Sequence, residues 1–337
     1  MGSNPIIFSA FGVDIYASSL VIFLGLVFCL LMTATLYGKK HGTVMPAFML
    51  FSLGFIVAVF LSRVTHWYFN AETYGSFENA MTDFSIGSFV LPVAVAGVWI
   101  TGWLIGKTRL VPSHGALLDA AAPGLCLLIV FIRISAIFGT TCRGKAIITN
   151  SALQFFPWSI AVTDGANNRI YRFASFAIAA ILMLLVFVLI LLYFRNERSR
   201  SKKNGDVWRW FVLAYSMVSV VIDSTRYDSP LMHFRVISYL NQYSAFISLG
   251  QVMPGVFSLI TLIHFSKRNI RRTGLKWYHV LGWILLVVSF VGIGYFGEYK
   301  FQRYANTLQC YSIMTASCFL LLLAEYLEYR RWGRRRR

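Results

Sequence analysis

The sequence predicts an all-α integral membrane protein, folded as a polytopic helical bundle. The first observation is composition: 57% of the 337 residues are hydrophobic and only 13% are charged, whereas soluble domains carry about 25% charged residues. The second is that the apolar residues collect in runs long enough to cross a bilayer, with no soluble domain between them. The third is the position of the basic residues, which fall in alternate connections.

Nine runs are predicted to span the membrane, and the sixth is the least hydrophobic. They cover residues 16–37, 45–68, 86–106, 116–139, 173–194, 208–223, 244–265, 278–296 and 306–327. Between the fourth and fifth runs, residues 155–160 form an apolar patch. The patch predicts either a helix or strand lying at headgroup level or a cap packed over the bundle.

The net charge of +18 is distributed unequally between the two sides of the expected bundle. Most of the 31 Lys and Arg residues fall in one set of alternate connections, and acidic residues mark the other set. This positive-inside pattern predicts an outside N-terminus and an inside C-terminus. Basic segments beside a membrane act as topology signals and contact anionic lipid, so we expect no nucleic-acid partner.

The fourth run carries Asp119, Pro123 and Arg133. The aspartate and the arginine would fall within about 40° of each other on one helix face, about 21 Å apart along the axis. An arginine at membrane depth is costly, which makes it a candidate for a functional site. The alternative is a structural ion pair between helices.

A second polar stripe lies on the sixth run. Tyr215, Ser219, Asp223 and Arg226 are spaced so that they project from one face of a helix. Asp223 can pair locally with Arg226 or reach Arg133 on a neighbouring helix. The stripe therefore predicts a polar cavity in the outer half of the membrane.

The seventh run contains Gly250 and Gln251, followed by Pro254. Gln251 supplies a polar amide, and Pro254 predicts a kink. With Arg133 and Arg226 the cavity would hold two guanidinium groups. Guanidinium binds phosphate through paired, charge-assisted hydrogen bonds, so the expected ligand is an anionic phospholipid headgroup.

Several short motifs resemble those of the bacterial prolipoprotein diacylglyceryl transferase family. These membrane enzymes move diacylglyceryl from phosphatidylglycerol to a lipobox cysteine thiol. In the family pattern an aspartate is followed by Ala-Pro and, fourteen residues after the aspartate, by an arginine. This pattern is matched by Asp119, Ala122, Pro123 and Arg133. Partial matches, collinear over roughly residues 10–265, lie at Arg63-Val64 with Phe69, Pro157-Trp158, Arg169 to Arg172, Tyr215 to Arg226 and Ser248 to Gln251.

The resemblance implies roles for individual residues. Catalytic roles would fall to Arg133, Tyr215 and Asp223. We expect Arg133, Arg226, Arg143, Arg172 and Gln251 to bind the lipid phosphate, as the cationic and polar groups available for it. Structural roles would fall to Asp119, Pro123, Gly144 and Gly250. The resemblance implies no cofactor, and we expect no metal site.

The resemblance also implies an organisation and a location. Residues 1–266 would form a seven-helix transferase-like membrane domain, and residues 267–337 would add two transmembrane helices and a basic cytoplasmic tail. The chain would be a multi-pass protein of the bacterial cytoplasmic membrane. Its partners would be phosphatidylglycerol or another anionic phospholipid, and a prolipoprotein or a membrane protein.

Departures from the family pattern fall on its functional positions. The family's third-span S-F-H-G-G is represented by Ser88-Phe89 followed by Val90, so the expected histidine is absent. Other family residues are replaced by Ser18, Ala136, Thr141, Ala166-Asn167, Arg172 and Ser219.

Thiol attack at the glycerol carbon needs a base for the cysteine proton and cationic groups for the departing glycerol phosphate. Loss of a general base typically slows a reaction by about 10²–10⁴-fold. His66 is the candidate replacement, and its alternative role is that of a structural residue at the membrane interface.

Three functions fit these observations. The first is a divergent transferase-like protein that binds phosphatidylglycerol and transfers diacylglyceryl if a substitute base is present. The second is a non-catalytic lipid-binding subunit or scaffold. The third, a solute transporter, predicts ionisable groups at the midplane in both halves of the bundle, whereas here they concentrate in the fourth and sixth runs.

Overall fold

The computed structural model describes residues 5–10, 13–69, 75–82, 90–108, 110–139, 142–144, 146, 153–163, 169–195, 204–226, 249–294 and 307–329. Within these ranges the chain forms ten helices and two short hairpins. The helices are α1 (Ala17–His41), α2 (Met45–Phe69), α3 (Phe77–Thr82), α4 (Leu91–Gly106), α5 (His114–Ser135), α6 (Ser175–Arg195), α7 (Asp206–Thr225), α8 (Leu249–Thr273), α9 (Trp277–Gly294) and α10 (Thr307–Tyr329). The strands are β1 (Ile6–Ala10), β2 (Val13–Tyr16), β3 (Ser159–Thr163) and β4 (Arg169–Phe173).

The prediction of a helical membrane bundle is confirmed, and each predicted span overlaps one of the long helices. Four of them, α1, α2, α5 and α6, are long and apolar enough to cross a membrane by length and composition. Helices α4, α9 and α10 contain shorter apolar segments. Nine membrane crossings and their orientation stay predictions.

Helix α5 is the centre of the bundle. It packs against α1, α4, α6 and α7, and most of its residues are buried. Pro123 lies inside this helix and is itself buried. A helix that is apolar on nearly every face suits this position, because it has neighbours on all sides.

The basic ends of several helices meet at one end of the bundle. The Lys40 ammonium at the end of α1 lies 5.9 Å from the centre of the Phe194 ring at the end of α6. Arg268, near the end of α8, forms an ion pair of 2.6 Å with Asp206 at the start of α7. We call this end the basic end.

The last two helices, α9 and α10, pack against each other, and α10 also contacts α7 and α8. At the basic end the Tyr193 and Tyr329 hydroxyls share a hydrogen bond, and the Tyr329 ring lies 5.5 Å from Trp210. The predicted domain boundary after residue 266 falls within α8, which continues to Thr273.

The two hairpins are short antiparallel exceptions to an all-helical chain, with β1 paired to β2 and β3 paired to β4. Strand β3 begins inside the apolar patch at 155–160, where Ile160 packs against Ala174 and Phe176 at the base of α6. The patch therefore contributes the start of a strand with Ile160 buried, while Phe155 and Phe156 are exposed, and its position at headgroup level stays a prediction.

Candidate functional site: a polar cluster opposite the basic end

Most of the predicted site residues meet at the end of the bundle opposite the basic end. The cluster is formed by the end of α5, residues 142–144 and 146, strand β4, the end of α7 and the start of α8. We call this group the polar cluster, and its members are Arg133, Cys142, Arg143, Gly144, Arg172, Tyr215, Ser219, Asp223, Arg226 and Gly250.

Arg133 comes from the last turn of α5. Its guanidinium donates a hydrogen bond to the Cys142 Sγ, at 3.2 Å. The backbone at Cys142 has a positive φ of 59°, which turns the chain back towards Arg133. The Arg133 Nε is buried and has no hydrogen-bond partner in the described part of the chain. The arginine thus contacts a neutral thiol and retains a donor for another group.

Gly144 joins this segment to the neighbouring elements. Its backbone N–H donates to the Phe173 carbonyl at 2.8 Å, and its backbone pairs with Arg226 at the end of α7. A β-carbon at position 144 would lie 2.3 Å from the Phe173 Cβ and 2.7 Å from the Ser175 Oγ. Only glycine fits such a close approach without movement of its neighbours.

The other two predicted phosphate-binding arginines lie along the same segment. The Arg143 guanidinium donates to the Gly139 carbonyl at 3.1 Å, and Arg172 of β4 pairs through its backbone with Ala146. Both side chains are half-buried. The structure therefore brings all four arginines to one end of the bundle.

Asp223 pairs with Arg226, one of the two partners predicted for it. The Arg226 guanidinium lies 3.4 Å from the Asp223 carboxylate, and their side chains are 15% and 11% exposed. On the other side, a β-carbon at position 250 would lie 2.8 Å from the Asp223 Oδ2. The carboxylate is therefore held against the first turn of α8, where the helix dipole favours a negative charge.

Tyr215 and Ser219 lie one and two turns deeper on α7 and are buried. Neither hydroxyl has a hydrogen-bond partner of normal geometry in the described ranges. The positive charge of Arg133 and the negative charge of Asp223 have opposite electrostatic effects on the Tyr215 hydroxyl. Tyr215, Ser219 and Asp223 of the predicted stripe thus share one face of α7, whereas Arg226 follows the helix in an extended conformation. Gln251 belongs to α8, but its side chain is outside the described part of the structure.

Asp119 lies away from this cluster, near the basic end. Its carboxylate accepts hydrogen bonds from the Gly205 N–H at 2.7 Å and the Trp208 N–H at 2.8 Å. These groups begin α7, whose first N–H groups have no partners within the helix. Asp119 therefore caps a neighbouring helix and is only 2% exposed.

His66 belongs to a separate group on α2. It is buried beside Arg63, whose guanidinium donates to the Ala80 carbonyl of α3 at 2.5 Å. The aligned third-span positions Ser88 and Phe89, together with Thr141 and Ala166-Asn167, lie outside the described residues.

Two apolar cavities flank the polar cluster, and the sequence analysis missed both. One, of about 330 Å³, lies between α1, α2, α4 and α5, and its lining reaches Ile132, the neighbour of Arg133. The other, of about 430 Å³, lies between α7, α8, α9 and α10. We call them the front chamber and the rear chamber. In the sequence, the front chamber could have been inferred from small residues on α2 such as Gly54 and Ala58, which line it.

Comparisons with known proteins show the family of this chain. A family model described as prolipoprotein diacylglyceryl transferase matches residues 5–266. A phosphatidylglycerol–prolipoprotein diacylglyceryl transferase of Streptococcus equi subsp. zooepidemicus (strain MGCS10565) is 24% identical over 282 residues, which cover 82% of this chain and 98% of the relative. A protein of the same name from Streptococcus pyogenes serotype M5 (strain Manfredo) is 24% identical over 280 residues, with the same coverage of both chains. The chain belongs to the prolipoprotein diacylglyceryl transferase family.

Proposed function

We infer that this protein binds a phosphatidylglycerol-type lipid, with the lipid phosphate at Arg133 in the polar cluster and an acyl chain in the front chamber. The observation that carries the proposal is the environment of Arg133. The Arg133 guanidinium is half-buried at the edge of an apolar cavity. Its buried Nε–H has no hydrogen-bond acceptor among the described residues.

The charges of the cluster favour an anion at this position. Arg226 is partly neutralised by Asp223, whereas the described contact of Arg133 is the neutral thiol of Cys142. A guanidinium offers a planar fork of donors that matches phosphate oxygens, and such bonds are stronger where water is scarce. Arg143, Arg172, Arg226 and Gln251 are proposed as additional phosphate contacts.

The front chamber suits the apolar part of the same ligand. Its lining is aliphatic and aromatic apart from Cys29 and Thr33, and it begins beside Arg133 at Ile132. An amphipathic lipid would place its phosphate at the arginine and its hydrocarbon between α2 and α5. The hydrocarbon gains little by moving from the bilayer to this lining, because lipid tails are as apolar as the side chains, so the phosphate contact at Arg133 would supply most of the selectivity.

The relatives are named for the transfer of diacylglyceryl from phosphatidylglycerol to a prolipoprotein. In that reaction a C–S bond forms to the cysteine thiol, the C–O bond to the phosphate breaks, and glycerol phosphate leaves with the electron pair. We propose that Arg133, Tyr215 and Asp223 surround the reacting groups and that transfer is slow or absent. The support is the replacement of family positions by Ala136 and Ser219, and the absence of the third-span histidine.

This proposal keeps a second function from another class, a non-catalytic subunit or scaffold that uses the lipid site for binding. Residues 267–337 favour it, because they add two helices beyond the family match. In both versions the protein lies in the bacterial cytoplasmic membrane with its N-terminus outside, so that the polar cluster is in the outer half.

Arg133→Ala is expected to weaken phosphatidylglycerol binding by about 10–100-fold, because a hydrogen bond to a charged group contributes about 1.5–3 kcal/mol. Arg133→Lys should restore only part of the affinity, since an ammonium lacks the paired geometry of guanidinium. The measurement is lipid binding by the purified protein in detergent.

The matched control is Arg195→Ala, which removes an exposed arginine at the basic end of α6. It should bind the lipid like the parent protein. If Arg133→Ala and Arg195→Ala bind equally well, the phosphate lies elsewhere and Arg133 has a structural role.

A further inference from the structure

The cysteine of the polar cluster, Cys142, differs from the other cysteines that the structure describes. Cys29, Cys126 and Cys318 are buried within helices, whereas Cys142 is half-buried and lies in the chain that follows α5. None of these four residues is in a disulfide. Because reaction with an oxidant depends on exposure, Cys142 is the most accessible of the four thiols to a small reagent.

The Cys142 sulfur lies against the guanidinium that we propose binds the lipid phosphate. The Arg133 Nη1 donates a hydrogen bond to the Cys142 Sγ at 3.2 Å. The sulfur therefore occupies a donor position that a phosphate oxygen would use. A neutral thiol is a weak acceptor, so a charged oxygen can displace it from the guanidinium.

Two further groups beside this contact have hydrogen-bonding capacity for an oxygen atom. The buried Arg133 Nε–H has no acceptor among the described residues. The Tyr215 side chain is only 1% exposed, and its hydroxyl has no partner of normal geometry in the described ranges. The charge of Arg133 acts on this hydroxyl, so the two groups share one neighbourhood. The surroundings of Arg133 thus favour an oxygen acceptor over the sulfur that contacts it.

Oxidation of Cys142 would supply such an oxygen at the same place. In the reaction of a thiol with hydrogen peroxide, an S–O bond forms as the O–O bond breaks. The sulfur loses two electrons, and the second peroxide oxygen leaves as water with the thiol proton. The product is a sulfenic acid, and two equivalents of a thiol reductant return it to the thiol with release of water and a disulfide.

We propose that Cys142 is a peroxide-sensitive modification site that controls access of the lipid phosphate to Arg133. In the reduced protein, the thiol gives way to the phosphate. In the oxidised protein, the sulfenic oxygen accepts from the guanidinium and competes with the phosphate, since guanidinium bonds strongly to oxygen acceptors. The inference rests on the proposed function, because it concerns regulation of the same lipid site.

The first test places a fixed negative charge at position 142. Cys142→Asp brings a carboxylate to Arg133, and Cys142→Asn is its neutral matched control. The backbone at Cys142 has a φ of 59°, which Asp and Asn both tolerate, so the two variants can keep the turn. Purified full-length Cys142→Asp should bind phosphatidylglycerol about tenfold more weakly than Cys142→Asn, because the phosphate must break a charge-assisted bond.

The second test oxidises the thiol itself. The purified parent protein is treated with hydrogen peroxide, and dimedone, which traps sulfenic acids, is used to locate the product by peptide mass spectrometry. Without dimedone, oxidation should weaken phosphatidylglycerol binding by about tenfold, and dithiothreitol should restore it. The affinity of Cys142→Asn should not respond to peroxide. Cys318→Ala is the matched control, because it retains Cys142 and should respond as the parent does.

Three results would overturn the inference. They are equal lipid affinity of Cys142→Asp and Cys142→Asn, no dimedone adduct at Cys142, and an oxidised parent that carries the adduct site but binds lipid as before. The lipid site itself is tested apart by Arg133→Ala. If Arg133→Ala weakens binding while the Asp and Asn variants do not differ, the role of Cys142 is wrong and the proposed lipid site stands.

Discussion

Asp119→Ala should lower the free energy of unfolding by about 2–4 kcal/mol, although Asp119 lies outside the polar cluster. The substitution removes a buried carboxylate that accepts from the Gly205 and Trp208 N–H groups. Both donors would then be buried without partners at the start of α7, and the charge that complements the helix dipole would be lost.

The measurement is thermal or chemical unfolding of the purified variants in detergent. Asp119→Asn is the matched control, because it preserves the shape and one acceptor oxygen, and it should lose less stability than Asp119→Ala. If Asp119→Ala unfolds at the same midpoint as the parent, the carboxylate does not secure α7 and its place in the family motif has another cause.

Gly250→Val should disrupt the polar cluster itself. A β-carbon at position 250 would meet the Asp223 Oδ2 at 2.8 Å and its carboxyl carbon at 2.9 Å. The carboxylate would have to move away from α8 and from Arg226, or α8 would have to shift. Overpacking of this kind costs about 1–3 kcal/mol, and we expect phosphatidylglycerol affinity to fall about tenfold as the cluster rearranges.

Gly54→Ala is the control for the stability measurement. It also places a methyl group inside a helix, but the nearest atom would be 3.9 Å away. Its stability should equal or exceed that of the parent, since alanine favours helix more than glycine does. Gly250→Val with the stability and the lipid affinity of the parent would contradict the close contact between α8 and Asp223.

The helices could be predicted from the sequence because their signals are local. Each apolar run overlaps a helix of the bundle, and the spacing of Tyr215, Ser219 and Asp223 gives the correct shared face of α7. The pairing of Asp223 with Arg226 was one of two predicted outcomes, and the two residues are only three apart in the sequence, although α7 ends at Thr225 and Arg226 is extended. Helical periodicity is sufficient for predictions of this kind.

The long-range contacts could not be predicted in the same way. Asp119 and Arg133 share a face of α5, but only the fold shows that the aspartate caps α7 through Gly205 and Trp208. The approach of Gly144 to Phe173 likewise depends on two segments that meet across the bundle. The two chambers arise from the packing of four helices each, which no single segment encodes.

We propose that this family member keeps a phospholipid site while diacylglyceryl transfer is weak or absent. The most direct measurement is the release of glycerol phosphate from labelled phosphatidylglycerol by the purified protein with a lipobox peptide. We expect release no higher than the background without protein, because the expected base is missing and a general base contributes about 10²–10⁴-fold. Robust release that is abolished by Arg133→Ala or Asp223→Asn would contradict the claim and would show that a substitute such as His66 accepts the thiol proton.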